Sequence, residues 1–291
     1  MSAWVRTDLH GHTLFSDGRA TPEEYVAFRR EQGMAVIAVS DHDVFDAVRR
    51  AALAASRAQM VLVPAAEITA FLSFGRAEAE QFHVLAYFPL RILSAGRLEQ
   101  TFLYRRGLQI KERWRAFVLS WLADRDVDDR RAIDPHDVLE GTPAAGFPAL
   151  QSMIDRIIAR RRPLFDDFRE HHVRFWNEDR ELFGWTPEEA IDAIRADGAY
   201  DVVAHAARYR DKARTQAVLE YASGIEAYTS RHRSEIALEY RAFAEARQKL
   251  WTASSDDHQN ARYMRPAAGM PVASVERLTL QQLPLSMISA A

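Results

Sequence analysis

The chain has 291 residues, a formal net charge of -3, no cysteine, and 48% hydrophobic against 27% charged residues. That length suits one large α/β domain or one domain carrying an insertion, and the composition excludes wholesale disorder. The charge excludes a global attraction to polyanions, and the missing cysteine excludes disulfides, thiolate nucleophiles and Cys-based zinc sites, so histidines and carboxylates must carry any metal chemistry.

Short apolar runs at 5–10, 34–40 and 60–69 read as strands, and 21–32 and 44–57 between them have helical character, which makes a βαβα beginning. Thr21 is placed to cap the first helix, with Pro22 at its first position and Glu24 completing a capping box, and Gly33 stops it. Residues 83–88 read as another strand, closed by Pro89. The alternation then lapses until Thr186, Pro187 and Glu189 repeat the same capping pattern before a helix at 190–196. Further strands are expected at 199–205, 224–229 and 249–255, with helices at 212–221 and 234–248 between them.

The interval 90–185 therefore reads as a helical insertion, a cap, dividing a barrel made of 1–89 and 186–291. Within it, 97–123 and 149–162 are helical, broken at Asp134-Pro135 and Gly141-Thr142-Pro143. Lying between two ligand-bearing strands, it is expected to leave and return near the ligands. The runs Arg105-Arg106 and Arg160-Arg161-Arg162 read first as solvated surface and second as cations reaching a phosphate. No stretch approaches the ~18 apolar residues that a membrane span needs. Residues 1–10 hold no apolar leader core, so a cytoplasmic protein without a membrane partner is expected.

The chemistry concentrates at strand ends. His10 and His12 flank Gly11 at the end of the first strand, where residues two apart share a face. Asp17 follows in Ser16-Asp17-Gly18, His42 lies in Ser40-Asp41-His42-Asp43, and Glu67 ends the third strand. His205 ends a later strand, and Asp256 and His258 lie in Ser255-Asp256-Asp257-His258. In parallel barrels the C-terminal strand ends converge on one mouth, so residues distant in sequence meet there. His83 is the exception, because it precedes most of its apolar run. His136, His171, His172 and His232 fall outside the set. Nine His, Asp and Glu ligands exceed one catalytic site, so two or three divalent ions are implied, with manganese, zinc and iron all compatible with N/O ligation.

The ordered motifs D-L-H-G-H-T, S-D-H-D, F-H-V-L-A-Y-F, A-H-A-A-R-Y and S-S-D-D-H resemble those of the PHP (polymerase and histidinol phosphatase) superfamily. The resemblance implies a distorted seven-stranded (β/α) barrel with a metal cluster at its mouth. More narrowly, the chain resembles the bacterial 3',5'-nucleotide bisphosphate phosphatase and short-RNA 5'-nuclease group. That likeness implies His10, His12, Glu67 and Asp256 on a first ion, Glu67, His83 and His205 on a second, and Asp17, His42 and His258 on a third. Arg208 carries over as a phosphate-binding arginine, although Ala206 stands where the group has proline and the group's arginine motif has no counterpart in the insertion.

The implied activity is hydrolysis of a phosphate ester by a metal-activated hydroxide. The substrate would be a nucleotide, a short oligonucleotide or another small phosphorylated metabolite, with no obligate protein partner. Arg208 would stabilise developing charge, and Asp17 or His205 would protonate the leaving group. Two alternatives are an amidohydrolase-type metal hydrolase acting on a carbonyl and a non-catalytic regulatory domain. The first lacks a barrel lysine to bridge metals, since Lys111, Lys212 and Lys249 lie off the strand-end pattern; the second is opposed by the intact ligand set.

Overall fold

A computed structural model describes residues 3–133, 162–260 and 269–283. In chain order the first half of the barrel holds β1 (Trp4–Val5), β2 (Thr7–Asp8), α1 (Pro22–Glu31), β3 (Val36–Val39), α2 (Asp46–Arg57), β4 (Val61–Leu72) and β5 (Glu80–Tyr87). Next come α3 (Arg91–Ser94), α4 (Phe102–Ala123), α5 (Val127–Ile133), α6 (Arg162–Glu178) and α7 (Arg180–Phe183). The barrel resumes with α8 (Pro187–Ala196), β6 (Tyr200–Val203), α9 (Lys212–Tyr221), β7 (Gly224–Tyr228), α10 (Ser234–Ala246) and β8 (Leu250–Ala253), followed by β9 (Met270–Pro271) and α11 (Val272–Thr279). Among the described residues no helix is long and apolar enough to cross a membrane.

The two capping signals act as their chemistry requires. Thr21 and Thr186 each accept from the backbone N–H three residues on, and Glu24 and Glu189 reach back to the cap backbone, with proline at the first helical position in both. A cap of this kind contributes about 1 kcal/mol and fixes where the helix starts.

Seven strands form one sheet in the order β2-β3-β4-β5-β6-β7-β8. Neighbours run parallel except around β5, which is antiparallel to both β4 and β6. The sheet curls until its ends meet: Asp256 N–H donates to His10 O at 2.9 Å, His12 N–H to Asp257 O at 3.0 Å, and Thr7 Oγ1 to Ala253 O at 3.0 Å. The architecture is thus the distorted seven-stranded (β/α) barrel that the motifs imply. Strand residues such as Val36, Ile37, Ala38 and Val39 are buried on both faces, as parallel strands under helices are, each large one contributing about 1.5–3 kcal/mol.

The reversal of β5 corrects two expectations. His83 is the fourth residue of β5, near its start, and because the strand runs backwards its start lies at the mouth where the other strands end. For the same reason the chain at residue 90 leaves from the opposite end of the barrel, where Leu90 N–H donates to Thr279 O at 3.3 Å, and not beside the ligands. Only the return is near the mouth, where Phe71 N–H donates to Trp185 O at 2.8 Å. Glu67 does not end its strand either, because β4 runs on to Leu72. It pairs with β3 only up to Pro64 and with β5 thereafter, so Glu67 sits where the β3 partner stops.

The helices of 90–185 have a core of their own. Ile110, Trp114, Val118, Trp121 and Leu122 line one face of α4 at helical spacing and meet Leu164, Phe168, Leu182 and Phe183. Val44 and Phe71 join this cluster to the barrel. Asp197, in the turn before β6, accepts Phe102 N–H at 2.8 Å and Leu103 N–H at 2.7 Å and so anchors the start of α4. Arg106 is neither solvated surface nor aimed at a phosphate: it is 3% exposed, with Nη1 on Asp43 Oδ1 at 2.5 Å and Nη2 on Leu182 O at 2.9 Å. At Gly107 the helix passes so close to the loop after β3 that a Cβ would lie 2.5 Å from Asp43 O. The helix expected at 149–162, the breaks at Asp134-Pro135 and Gly141-Thr142-Pro143, His136, Arg160 and Arg161 lie outside the described residues, apart from Arg162 at the start of α6.

Candidate metal centre

Each expected ligand reaches the mouth by a local device. His10 and His12 follow β2, with Gly11 between them held in the seam by its bridge to Asp257. Asp17 sits in a tight loop built by Asp41, whose Oδ1 accepts Thr13 N–H and Ser16 Oγ and whose Oδ2 accepts Thr13 Oγ1, all at 2.7 Å. His42 bridges back to Glu67, and His83 lies opposite Thr69 in the hairpin, its N–H on the Tyr209 hydroxyl at 2.8 Å. Around the centre three residues adopt left-handed backbone: Asp43 (φ 58°), His205 (φ 30°) and Asp256 (φ 54°). Such conformations cost about 1–3 kcal/mol each for a residue with a side chain and concentrate where the surroundings force a side chain into place. Two of the three are expected ligands.

All nine expected ligands converge, with Glu67 at the centre and 1% exposed. Its Oε1 lies 3.0 Å from both His83 Nδ1 and His205 Nε2. Its Oε2 lies 3.3 Å from His10 Nε2 and His12 Nε2 and 3.1 Å from His42 Nδ1. Asp256 Oδ1 stands 3.6, 3.4 and 3.6 Å from His10, His12 and His258. Asp17 stands 3.6, 3.6 and 3.3 Å from His12, His42 and His258. Three groups have ligand atoms mutually within 4.8 Å: His12, Asp17, His42 and His258; His10, His12 and Glu67; and His42, Glu67 and His83. This grouping gives His12 to the Asp17 set and His42 to the Glu67–His83 set as well.

The donor set fits cations. Glu67 Oε2, His42 Nδ1, His83 Nδ1 and His205 Nδ1 are buried without a hydrogen-bond partner among the described residues. An orphaned buried polar atom costs about 1–3 kcal/mol, and those that face one another, Glu67 Oε2, His42 Nδ1 and His83 Nδ1, would be satisfied together by ions. Imidazole and carboxylate without thiolate suit zinc, manganese or ferrous iron.

Proton affinities follow from the crowding. Burial alone would lower His10, but Glu67, Glu226 and Asp256 outweigh it and hold the imidazole well above its usual range. His42 is raised to about 9 against burial by Asp17 and Glu67. Burial wins at His83, which falls to about 4 beside Glu67. Asp17, Glu67 and Asp256 are held well below the carboxylate range, against burial, by the surrounding imidazoles. The carboxylates are therefore ionised, and an arriving ion displaces protons from imidazoles.

Residues that sequence reasoning passed over hold this arrangement. Glu226, buried in β7, accepts from His10 Nδ1 at 2.9 Å, His205 N–H at 2.7 Å and Ser254 Oγ at 2.5 Å. The first bond fixes the His10 tautomer and leaves Nε2 bare for an ion. Its only signal is a carboxylate inside the apolar run Gly224–Tyr228. Arg29, 1% exposed, crosses the barrel seam from α1 to Asp8 Oδ2 at 3.1 Å and Asp257 Oδ2 at 2.7 Å, and nothing in its helix distinguishes it from neighbouring arginines. Arg231, in the loop after β7, donates from Nε to Asp256 Oδ2 at 2.6 Å. His232 donates from Nδ1 to Ala227 O at 2.9 Å and accepts Ala207 N–H at 3.3 Å, tying that loop to the turn after His205.

Arg208 is placed differently from the nine. Its side chain is exposed and bonds no described residue, while its backbone N–H donates to His205 O at 2.9 Å. It lines a cavity of about 330 Å³ with Phe71, His172, Trp176, Tyr209 and Arg210, between α6 and the start of β5. His172 accepts Trp176 Nε1–H at 2.7 Å and is lowered to about 4 by burial, with Asp17 opposing.

A seven-stranded barrel whose mouth gathers histidines and carboxylates around one buried glutamate is a barrel of the PHP type. Residues 8–113 match the family model of the PHP domain, which is what this part of the chain is similar to. No curated protein matches the chain. A protein from Bifidobacterium adolescentis, provisionally named a metal-dependent phosphoesterase, shares the fold over 98% of this chain and 99% of its own at 19% identity and a TM-score of 0.64. An amidohydrolase from Chromobacterium violaceum, with bound sulfate and no metal, shares it over 91% of each chain at 19% identity and a TM-score of 0.60. At these identities the likeness is one of fold.

Proposed function

We propose that this protein is a metal-dependent phosphoesterase, and the observation that carries the reading is the division of Glu67, with Oε1 facing His83 and His205 and Oε2 facing His10, His12 and His42. A carboxylate so placed would hold divalent cations together with both sets of histidines. Divalent ions bound there would neutralise the oxygens of a phosphate ester and lower the pKa of a water, the two needs of phosphate hydrolysis. Two or three ions of manganese, zinc or iron are the implied cofactors, held by His10, His12, Asp17, His42, Glu67, His83, His205, Asp256 and His258.

Glu226 keeps His10 Nε2 aimed inward and Asp41 keeps Asp17 at the rim. Asp17 is ionised near neutral pH and so acts as a ligand. Arg208 supplies positive charge in the adjacent cavity, where Trp176 offers a flat surface to the organic part of the ester. The substrate is a nucleotide, a short oligonucleotide or another small phosphorylated metabolite. Carbonyl hydrolysis with a lysine-bridged metal pair is disfavoured, because Lys111 bonds Asp46, Lys212 bonds Ala207 O and Lys249 bonds Glu220 O.

The test is reconstitution. Chelated protein given manganese, zinc or ferrous iron should take up at least two ions per chain, release protons at pH 7.5 and hydrolyse an aryl phosphate. Uptake of less than one ion, or full uptake with no phosphoester turnover, would sink the reading.

A further inference from the structure

Among the described residues Arg231 is the only arginine or lysine that forms an ion pair with any of the nine ligands. Its Nε bonds Asp256 Oδ2 at 2.6 Å, while Asp256 Oδ1 faces His10, His12 and His258. One edge of the carboxylate thus looks at the ion site and the other at the guanidinium. Only Nε is engaged: neither terminal nitrogen bonds a described residue, and the side chain is 43% exposed against 2% for Asp256. The guanidinium therefore bridges from the buried cluster to solvent at the mouth, within electrostatic range of Glu67 and Asp17 also.

The loop that carries it is fixed. Ser230 N–H donates to Ser255 O at 3.3 Å and His232 N–H to Thr229 O at 3.1 Å, and the His232 ring ties the loop to Ala227 and Ala207. An arginine pinned through Nε presents its two remaining donor groups as a preset fork, the geometry that matches two phosphate oxygens. The Arg208 guanidinium, by contrast, has no bond to the cluster among the described residues.

We infer that Arg231 is a phosphate-binding residue of this site, its Nε holding Asp256 and its terminal nitrogens taking non-bridging oxygens of the substrate phosphate. The inference rests on the phosphoesterase reading and adds to it a second guanidinium, placed on the metal side where Arg208 serves the cavity side. A lysine at 231 keeps the charge but loses the fork. Loss of charge-assisted hydrogen bonds to phosphate should weaken binding about 10- to 100-fold.

The test measures inorganic phosphate binding by calorimetry, together with metal content, in manganese-loaded wild type, Arg231→Ala, Arg231→Lys and Arg233→Ala as a control in the same loop. Arg231→Ala should weaken phosphate binding at unchanged metal content, Arg231→Lys should fall between it and wild type, and KM for an aryl phosphate should rise in the same order. Phosphate binding by Arg231→Ala equal to wild type overturns the inference alone. Loss of ions in parallel with loss of phosphate overturns it too, since Arg231 would then only position Asp256. A loaded wild type that neither binds phosphate nor turns over the ester removes the phosphoesterase reading and this inference with it.

Discussion

The barrel mouth and the helical segment above it treat their polar side chains in opposite ways. In the segment, Arg106 is consumed by Asp43 and Leu182 O, and His172 is stacked among Phe168, Trp176 and Trp114. At the mouth, Glu67, His42, His83 and His205 keep buried atoms without hydrogen-bond partners. Stability accounts for the first pattern and not for the second, because each orphaned atom opposes folding until something binds it. The difference separates a region whose buried polar atoms await a partner from one whose polar groups are spent on its own packing.

The strongest way to break this comparison is Glu67→Ala, which should lower aryl phosphate turnover by about 1,000-fold or more, since it removes the carboxylate at the centre of the ligand set. An active, fully loaded variant would remove the shared-ligand arrangement. Next, Arg106→Ala should destabilise the fold by about 3–5 kcal/mol in urea titration, because it strands the buried Asp43 charge beside His42. A loss under ~1 kcal/mol would return Arg106 to the surface class of ion pairs. Glu226→Ala should lower metal affinity about 10- to 100-fold by freeing the His10 ring. Unaltered affinity in a competitive chelator titration would mean that the strand alone orients His10. The smallest effect is expected at Trp176→Ala, which should change turnover of a small aryl phosphate about tenfold or less while reordering preference among bulkier esters. A proportional loss on every ester would deny the cavity a part in selection.

How much of this was legible in the sequence depended on whether a feature was local. The capping boxes at Thr21 and Thr186 involve residues three apart, and both helices begin where they indicate. The strand-end residues converge because six of the seven strands share one direction, which alternating strands and helices announce. His83 looked anomalous only because the direction of β5 is set by pairing with β4 and β6, which no short window encodes. Glu226 and Arg231 were passed over for opposite reasons: the first hides in an apolar strand, and the second stands among exposed charged residues where arginines are usually solvated. Their importance comes from His10 and Asp256, more than two hundred and about twenty-five positions away respectively, so it is visible only in three dimensions.

The contact between Arg106 and Asp43 also makes the two regions thermodynamically reciprocal. Asp43 accepts from Thr69 N–H at 2.9 Å as well as from Arg106, and it adjoins His42, whose Nδ1 lies 3.1 Å from Glu67. Docking of α4 and occupancy of the Glu67 site therefore bear on one short loop in its left-handed turn. By linkage, whatever factor α4 docking adds to ion affinity, ion binding returns to α4 docking. Chelation should then loosen the docked helix as well as empty the centre, so that amide exchange along α4 reports the state of a site its backbone never touches.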